Sequence, residues 1–173
     1  IINVTITNFE ITKFSDIIFT KEDIVSKNPI QYDVNLNKTV NIEDFVKNTY
    51  SLDEIKKDKS FFFAEDYWMD TLKNLGDDLF NYFKEGDNLK NKKFVIVTGY
   101  ASSNEMDGDK SKINELALNR AKEVCKFLLN NFRIPKSAFI VMSKGDTEMK
   151  NKKNLNDKSN RSVEIKFYSE TYF

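Results

Sequence analysis

Phe94-Val95-Ile96-Val97-Thr98-Gly99-Tyr100-Ala101-Ser102 opens the half of the chain in which the fold can be read. Its first five residues are an unbroken β-branched and aromatic run, the pattern of a strand buried on both faces. A polar loop, residues 99–112, follows. Ile113, Ala117, Ala121, Val124 and Leu128 then fall on one face of a helix over residues 113–129, closed by Asn130-Asn131, with Pro135 just beyond. Phe139-Ile140-Val141-Met142 is a second strand. A Lys- and Asn-rich loop, residues 143–160, leads to Val163, Ile165 and Phe167, which alternate with polar residues in a last strand with one solvated face.

Upstream of this core the signal changes period. Trp68, Leu72, Leu75, Leu79 and Tyr82 recur three or four residues apart, which predicts an amphipathic helix over residues 64–83, stopped by Glu85-Gly86-Asp87. Gly76 in its middle costs about 1 kcal/mol against alanine, an expense that burial of the apolar face offsets. The aromatic group Phe61-Phe62-Phe63 and Tyr67-Trp68 is expected in the core. Val4, Ile6, Phe9 and Ile11 alternate with polar residues, and Ile17-Ile18-Phe19 forms a short apolar group; both read as strands. Residues 20–59 hold Asn28-Pro29, a strand-like stretch over 31–36, a short helix opened by Thr39 or Asn41, and a charged linker over 56–59.

With an N-terminal strand placed in front, the order is β-α-β-α-β-β. This is an α+β two-layer sandwich whose mixed sheet is covered by helices on one face. Residues 1–59 form a β-containing N-terminal extension and residues 60–173 the main domain. The first strand of the sheet is either 16–19, which makes the stretch after it an insertion, or 60–63, which leaves a separate extension before it.

Composition narrows the functions. The chain has 173 residues, 40% hydrophobic and 13% aromatic, and folds as a globular protein. A chain of this size buries roughly 70% of the surface it exposes when unfolded. Its 27 basic and 27 acidic residues cancel, which argues against nucleic-acid binding. It has no histidine, the commonest general base and metal ligand. Its single cysteine, Cys125, can form neither an internal disulfide nor a thiolate zinc site, and lies in the helix as a small buried residue. No nucleophile elbow, P-loop or dinucleotide loop occurs, and Asp77-Asp78 and the Asp107, Asp109 pair are surface carboxylates without a partner set. Neither an enzyme nor a cofactor is expected. No signal peptide or apolar run of about 18 residues is visible, and the chain opens on Ile1, so membrane attachment is expected only through an anchor outside this sequence.

Four fragments, in order, carry a resemblance. The strand runs into Gly99-Tyr100-Ala101-Ser102; the next helix carries Leu116-Ala117-Leu118-Asn119-Arg120-Ala121; Arg133-Ile134-Pro135 precedes the next strand; and Asn160-Arg161-Ser162-Val163-Glu164-Ile165 opens the last one. Together they resemble the OmpA-like peptidoglycan-binding domains, including the MotB-type stator domains, over about 75 residues. Two of the chain's three arginines, Arg120 and Arg161 but not Arg133, fall where that family keeps its own.

The resemblance implies binding, with the diaminopimelate of the peptidoglycan stem peptide as ligand. A guanidinium fork suits a carboxylate, and an acid suits the ammonium. The residues implied are Arg120, Arg161, Ser102, Tyr100, Asn160 and Ala101. It also implies an anchoring module of a larger envelope protein or lipoprotein, in the periplasm or cell envelope and associated with the outer membrane. The rival expectation is a fold that has lost its ligand site and docks a protein partner or a second copy of itself, as a stator does. It is motivated by departures from the family pattern. Ser102 replaces the loop aspartate, leaving Glu105, Asp107 and Asp109 as nearby substitutes. Ala117 replaces the helix serine, Ile113 and the shifted Asn114 replace the family asparagine, and Ser162 replaces a second arginine. Ser143-Lys144-Gly145 reduces a Gly-x-Gly, and Arg133 stands for a glycine.

Overall fold

Strand β3, Asn91–Tyr100, is an interior strand: its backbone pairs on both sides, and its Val95 and Val97 are buried in the core. In the computed structural model, residues 2–4, 32–52, 65–84 and 91–171 are described. Their elements are β1 (Ile2–Val4), β2 (Tyr32–Ile42), α1 (Glu65–Lys84), β3, α2 (Lys110–Asn131), β4 (Phe139–Gly145) and β5 (Val163–Thr171). The sheet order is β1-β2-β5-β3-β4. Strands β3 and β4 are parallel, whereas β5 is antiparallel to both β3 and β2. The sheet is therefore mixed, and the α+β reading holds.

The strand on the other side of β5 from β3 is β2, which the strand-like stretch over 31–36 only begins. The short helix expected from Thr39 or Asn41 does not form: Thr39 pairs with Lys166, Val40 with Ile165 and Ile42 with Val163. β-Branched Val40 and Ile42 gain more from the neighbouring strand than from a local helical turn. The alternatives 16–19 and 60–63 lie outside the described residues, as does the strand read around Val4, Ile6, Phe9 and Ile11 except for Val4, which ends β1. Phe61, Phe62, Phe63 and the side chains of Tyr67 and Trp68 also lie outside them.

Both helices pack on one face. Leu72, Leu75 and Leu79 of α1 and Val124, Cys125 and Leu128 of α2 share a core with Val95, Val97, Phe139, Val141, Val163, Ile165 and Phe167. Leu72, Leu75 and Leu79 of the α1 stripe are buried as their spacing predicts, and burial raises the Cys125 thiol far above its ordinary value. Helix α2 starts earlier than expected, because Asp109 caps it by accepting from the amides of Ser111 and Lys112.

Two glycines allow close approaches, one between sheet and helix and one between the two helices. A Cβ on Gly99 would stand 1.7 Å from the carbonyl oxygen of Ala117, so β3 and α2 approach backbone to backbone there. A Cβ on Gly76 would stand 2.1 Å from the ring of Phe132, which explains why a helix interior keeps a poor helix former.

Candidate ligand-binding site

The loop leaving β3 turns back at once. Ser102 accepts from the amide of Glu105, and Met106, Asp107 and Gly108 follow with φ of 50°, 55° and 75°. Two of these three are not glycine, so the turn holds left-handed backbone at a cost of order 1–3 kcal/mol per residue. It aims the Glu105 side chain into the protein.

Arg120, on the α2 face toward that loop, is the largest fully buried side chain among the described residues, at 0% exposure. Its Nη1 and Nη2 donate to the two oxygens of Glu105 at 2.9 and 2.5 Å, a bidentate pair. The second Nη1 hydrogen goes to the Tyr100 carbonyl at 3.2 Å. Nε donates to the Thr49 carbonyl at 2.8 Å and Nη2 to the Val46 carbonyl at 3.3 Å. A guanidinium has five N–H donors, and all five are used.

Glu105 is equally occupied. Besides Arg120 it accepts from the amides of Ser102 at 2.8 Å and Asn48 at 3.0 Å. Burial pushes its pKa up, but the Arg120 hydrogen bonds and charge, with those two amides, more than reverse this and hold the carboxyl below its ordinary value. Burial draws Arg120 down, against the pull of Glu105, yet a guanidinium has enough margin to stay charged. Of the three acids named as substitutes for the missing aspartate, Glu105 meets the arginine, Asp109 caps α2, and Asp107 is exposed.

The second arginine points to the same upstream stretch. Arg161 donates from Nε to the Phe45 carbonyl at 2.5 Å, from Nη1 to the Asn156 carbonyl at 2.9 Å, and from Nη2 to Asp44 Oδ1 at 3.4 Å. Its own carbonyl accepts from the Phe45 amide. Arg120 and Arg161 are thus bridged by residues 44–49, and the Arg120 guanidinium lies 5.4 Å from the Phe45 ring centre.

The remaining candidates divide. Tyr100 gives its carbonyl to Arg120, while its hydroxyl donates to Glu164 at 3.2 Å; burial, then the Glu164 charge, raises its pKa. Ala101 is buried and its amide donates to the Gly145 carbonyl. Ser102, fully buried, donates its hydroxyl to the Leu155 carbonyl at 2.7 Å, and only its amide reaches the ion pair. Asn160 stands apart from that pair: its amide group donates to the Asn151 and Asn154 carbonyls and its oxygen accepts from the Asn151 amide, pinning the loop before β5.

What sequence reasoning missed is residues 44–49. The signal available was weak, since Asp44 and Asn48, at φ of 71° and 64°, are the residue types that best tolerate left-handed backbone. Among the described residues no group of acids, cysteine or histidine is placed to hold a metal, and no helix is long and apolar enough to cross a membrane.

A mixed sheet with two helices on one face is the architecture of an OmpA-like module. The OmpA family matches residues 71–162, more than half of the chain, and the chain belongs to that family. Among solved structures, the peptidoglycan-associated lipoprotein of Burkholderia pseudomallei is similar at 13% identity and a TM-score of 0.53, covering 76% of this chain and 90% of that one. The periplasmic domain of Helicobacter pylori MotB (residues 97–256) aligns at 17% identity and a TM-score of 0.52, over 77% and 81%. The OmpA-like domain of FopA1 from Francisella tularensis aligns at 14% identity and a TM-score of 0.50, over 96% and 98%. At these identities the likeness is one of fold. No curated protein matches the chain.

Proposed function

We propose that this chain is a non-catalytic cell-envelope module that anchors its parent protein to peptidoglycan through the diaminopimelate of the stem peptide. The observation that carries this reading is the Arg120–Glu105 pair at the junction of the β3 loop and α2. A zwitterionic ligand needs a fixed cation and a fixed anion within reach of each other. Ser102 carries no charge, and Glu105, three residues on, supplies one, with its carboxylate on the Ser102 amide. Arg161 is held nearby through residues 44–45. The family membership and the fold shared with a peptidoglycan-associated lipoprotein support the same setting, the periplasm or cell envelope.

Cosedimentation with purified peptidoglycan sacculi tests it. The chain is expected in the pellet and is released by free diaminopimelate; a chain that stays in the supernatant contradicts the reading.

A second reading has its own observation. Every donor of Arg120 is satisfied from within the protein, as befits a fold whose site has become a structural staple. In that case the module docks a protein partner or a second copy of itself. Sedimentation velocity across a concentration series distinguishes the homodimer version, which predicts a dimer, from a concentration-independent monomer.

A further inference from the structure

A guanidinium has two edges that a carboxylate can bridge: the end edge between Nη1 and Nη2, and the side edge between Nε and Nη2. In Arg120 the end edge faces Glu105, and the side edge faces two backbone carbonyls, Thr49 on Nε and Val46 on Nη2. Two oxygens from residues 46–49 therefore stand where the two oxygens of a carboxylate would stand. The same residues close over the acid, because the Asn48 amide donates to Glu105 and the Asn48 side-chain oxygen accepts from the Met106 amide at 2.7 Å.

We infer that the turn over residues 46–49 is an internal stand-in for a ligand carboxylate, and that a ligand reaches the side edge of Arg120 only by displacing this turn. The inference rests on the proposed peptidoglycan reading and adds its regulation: the site is gated by its own chain. The turn is built to be displaced. It is a single turn held internally by the Thr49 amide and hydroxyl on the Val46 carbonyl. It carries a left-handed Asn48, and Lys47 and Asn48 are exposed. On either side it is tethered by Phe45, fully buried, and Leu52, nearly so, which would keep the lifted turn close to the site. Opening exchanges two carbonyls for one carboxylate, a stronger acceptor for a guanidinium. The open form is the minor one in the free protein, so apparent affinity is reduced by its population.

The test measures binding of a diaminopimelate-containing stem peptide to the full chain and to Asn48→Ala, with hydrogen exchange followed at the Asn48 and Thr49 amides. Asn48→Ala removes the bond to Met106 and disfavours the left-handed backbone. It is expected to tighten binding about fivefold, the factor for one lost net hydrogen bond, while ligand strips protection from the Asn48 amide, which is held by Glu105 only while the turn is closed, in the unmodified chain. Equal affinity of the two proteins with Asn48 still protected overturns the gate and leaves the peptidoglycan reading standing. No binding by either, when exchange shows the turn open in Asn48→Ala, overturns both. Should Asn48→Ala fail to fold, the exchange of the unmodified chain with and without ligand decides by itself.

Discussion

Arg120 and Glu105 face one another through two parallel hydrogen bonds of 2.9 and 2.5 Å, and neither side chain is exposed. A buried pair is weak as a source of stability but costly to break, since a lone partner is left charged without water. Arg120→Leu and Glu105→Leu are each expected to cost about 3–5 kcal/mol. The double variant should cost less than the sum, and a double-mutant cycle by urea denaturation reads the coupling. Additivity within about 0.5 kcal/mol would show that the two residues act independently.

The same pair sets an acid limit. The Glu105 carboxyl is held below its ordinary value in the folded protein, with burial opposing and Arg120 driving the shift. A depressed folded pKa contributes stability that is complete above the unfolded value, about 4.3. That contribution is lost as pH falls through the lower folded value. Stability should therefore drop below about pH 4.3, and Glu105→Gln should flatten that part of the profile. An unchanged acid limb in Glu105→Gln, measured by denaturation midpoints from pH 2 to 6, assigns the effect to other carboxylates.

Gly99→Ala is expected to be among the most damaging single changes. Its Cβ would meet the Ala117 carbonyl at 1.7 Å, backbone against backbone, so β3 and α2 must separate and the core between them opens. A loss of more than about 3 kcal/mol is expected, at or beyond the upper end of overpacking costs. Gly108→Ala, whose Cβ has nothing closer than 4.0 Å but sits at φ 75°, should cost about 1 kcal/mol. Thermal denaturation of the two variants checks the order, and similar losses would refute the close-approach account.

At Gly76, propensity and packing oppose each other. Alanine gains about 1 kcal/mol in a helix interior, yet its methyl would fall 2.1 Å from the Phe132 ring. Gly76→Ala should destabilise the wild type and stabilise a Phe132→Ala background. The sign change is read by urea midpoints; a loss in both backgrounds would mean that some contact other than Phe132 demands the glycine.

Much of the fold was legible because β3, α2, β4 and β5 each carry an unmixed local pattern, and the motif fragments fix their order. Strand β2 was half legible. Its apolar residues Leu36, Val40 and Ile42 are separated by Asn37, Lys38 and Asn41, and a register shift between Leu36 and Lys38 breaks the alternation. The site was legible as residue types and not as partners. Helical spacing puts Arg120 on α2 but cannot show that its acceptors lie at Val46 and Thr49, more than seventy residues upstream. Nor could spacing choose Glu105 over Asp107 and Asp109, because the choice depends on the left-handed turn at residues 106–108. Asn160, read as a ligand residue from its motif, is occupied by three hydrogen bonds within its own loop, a role the motif alone does not reveal.

The most direct measurement is a titration of the chain with a diaminopimelate-containing stem peptide, followed residue by residue by NMR. The account predicts saturable shifts over residues 99–104 and at Arg120 and Arg161, with the Asn48 and Thr49 amides moving in step. An absence of shifts at millimolar ligand would contradict it and leave Arg120 and Glu105 as a staple inside a module that serves a protein partner.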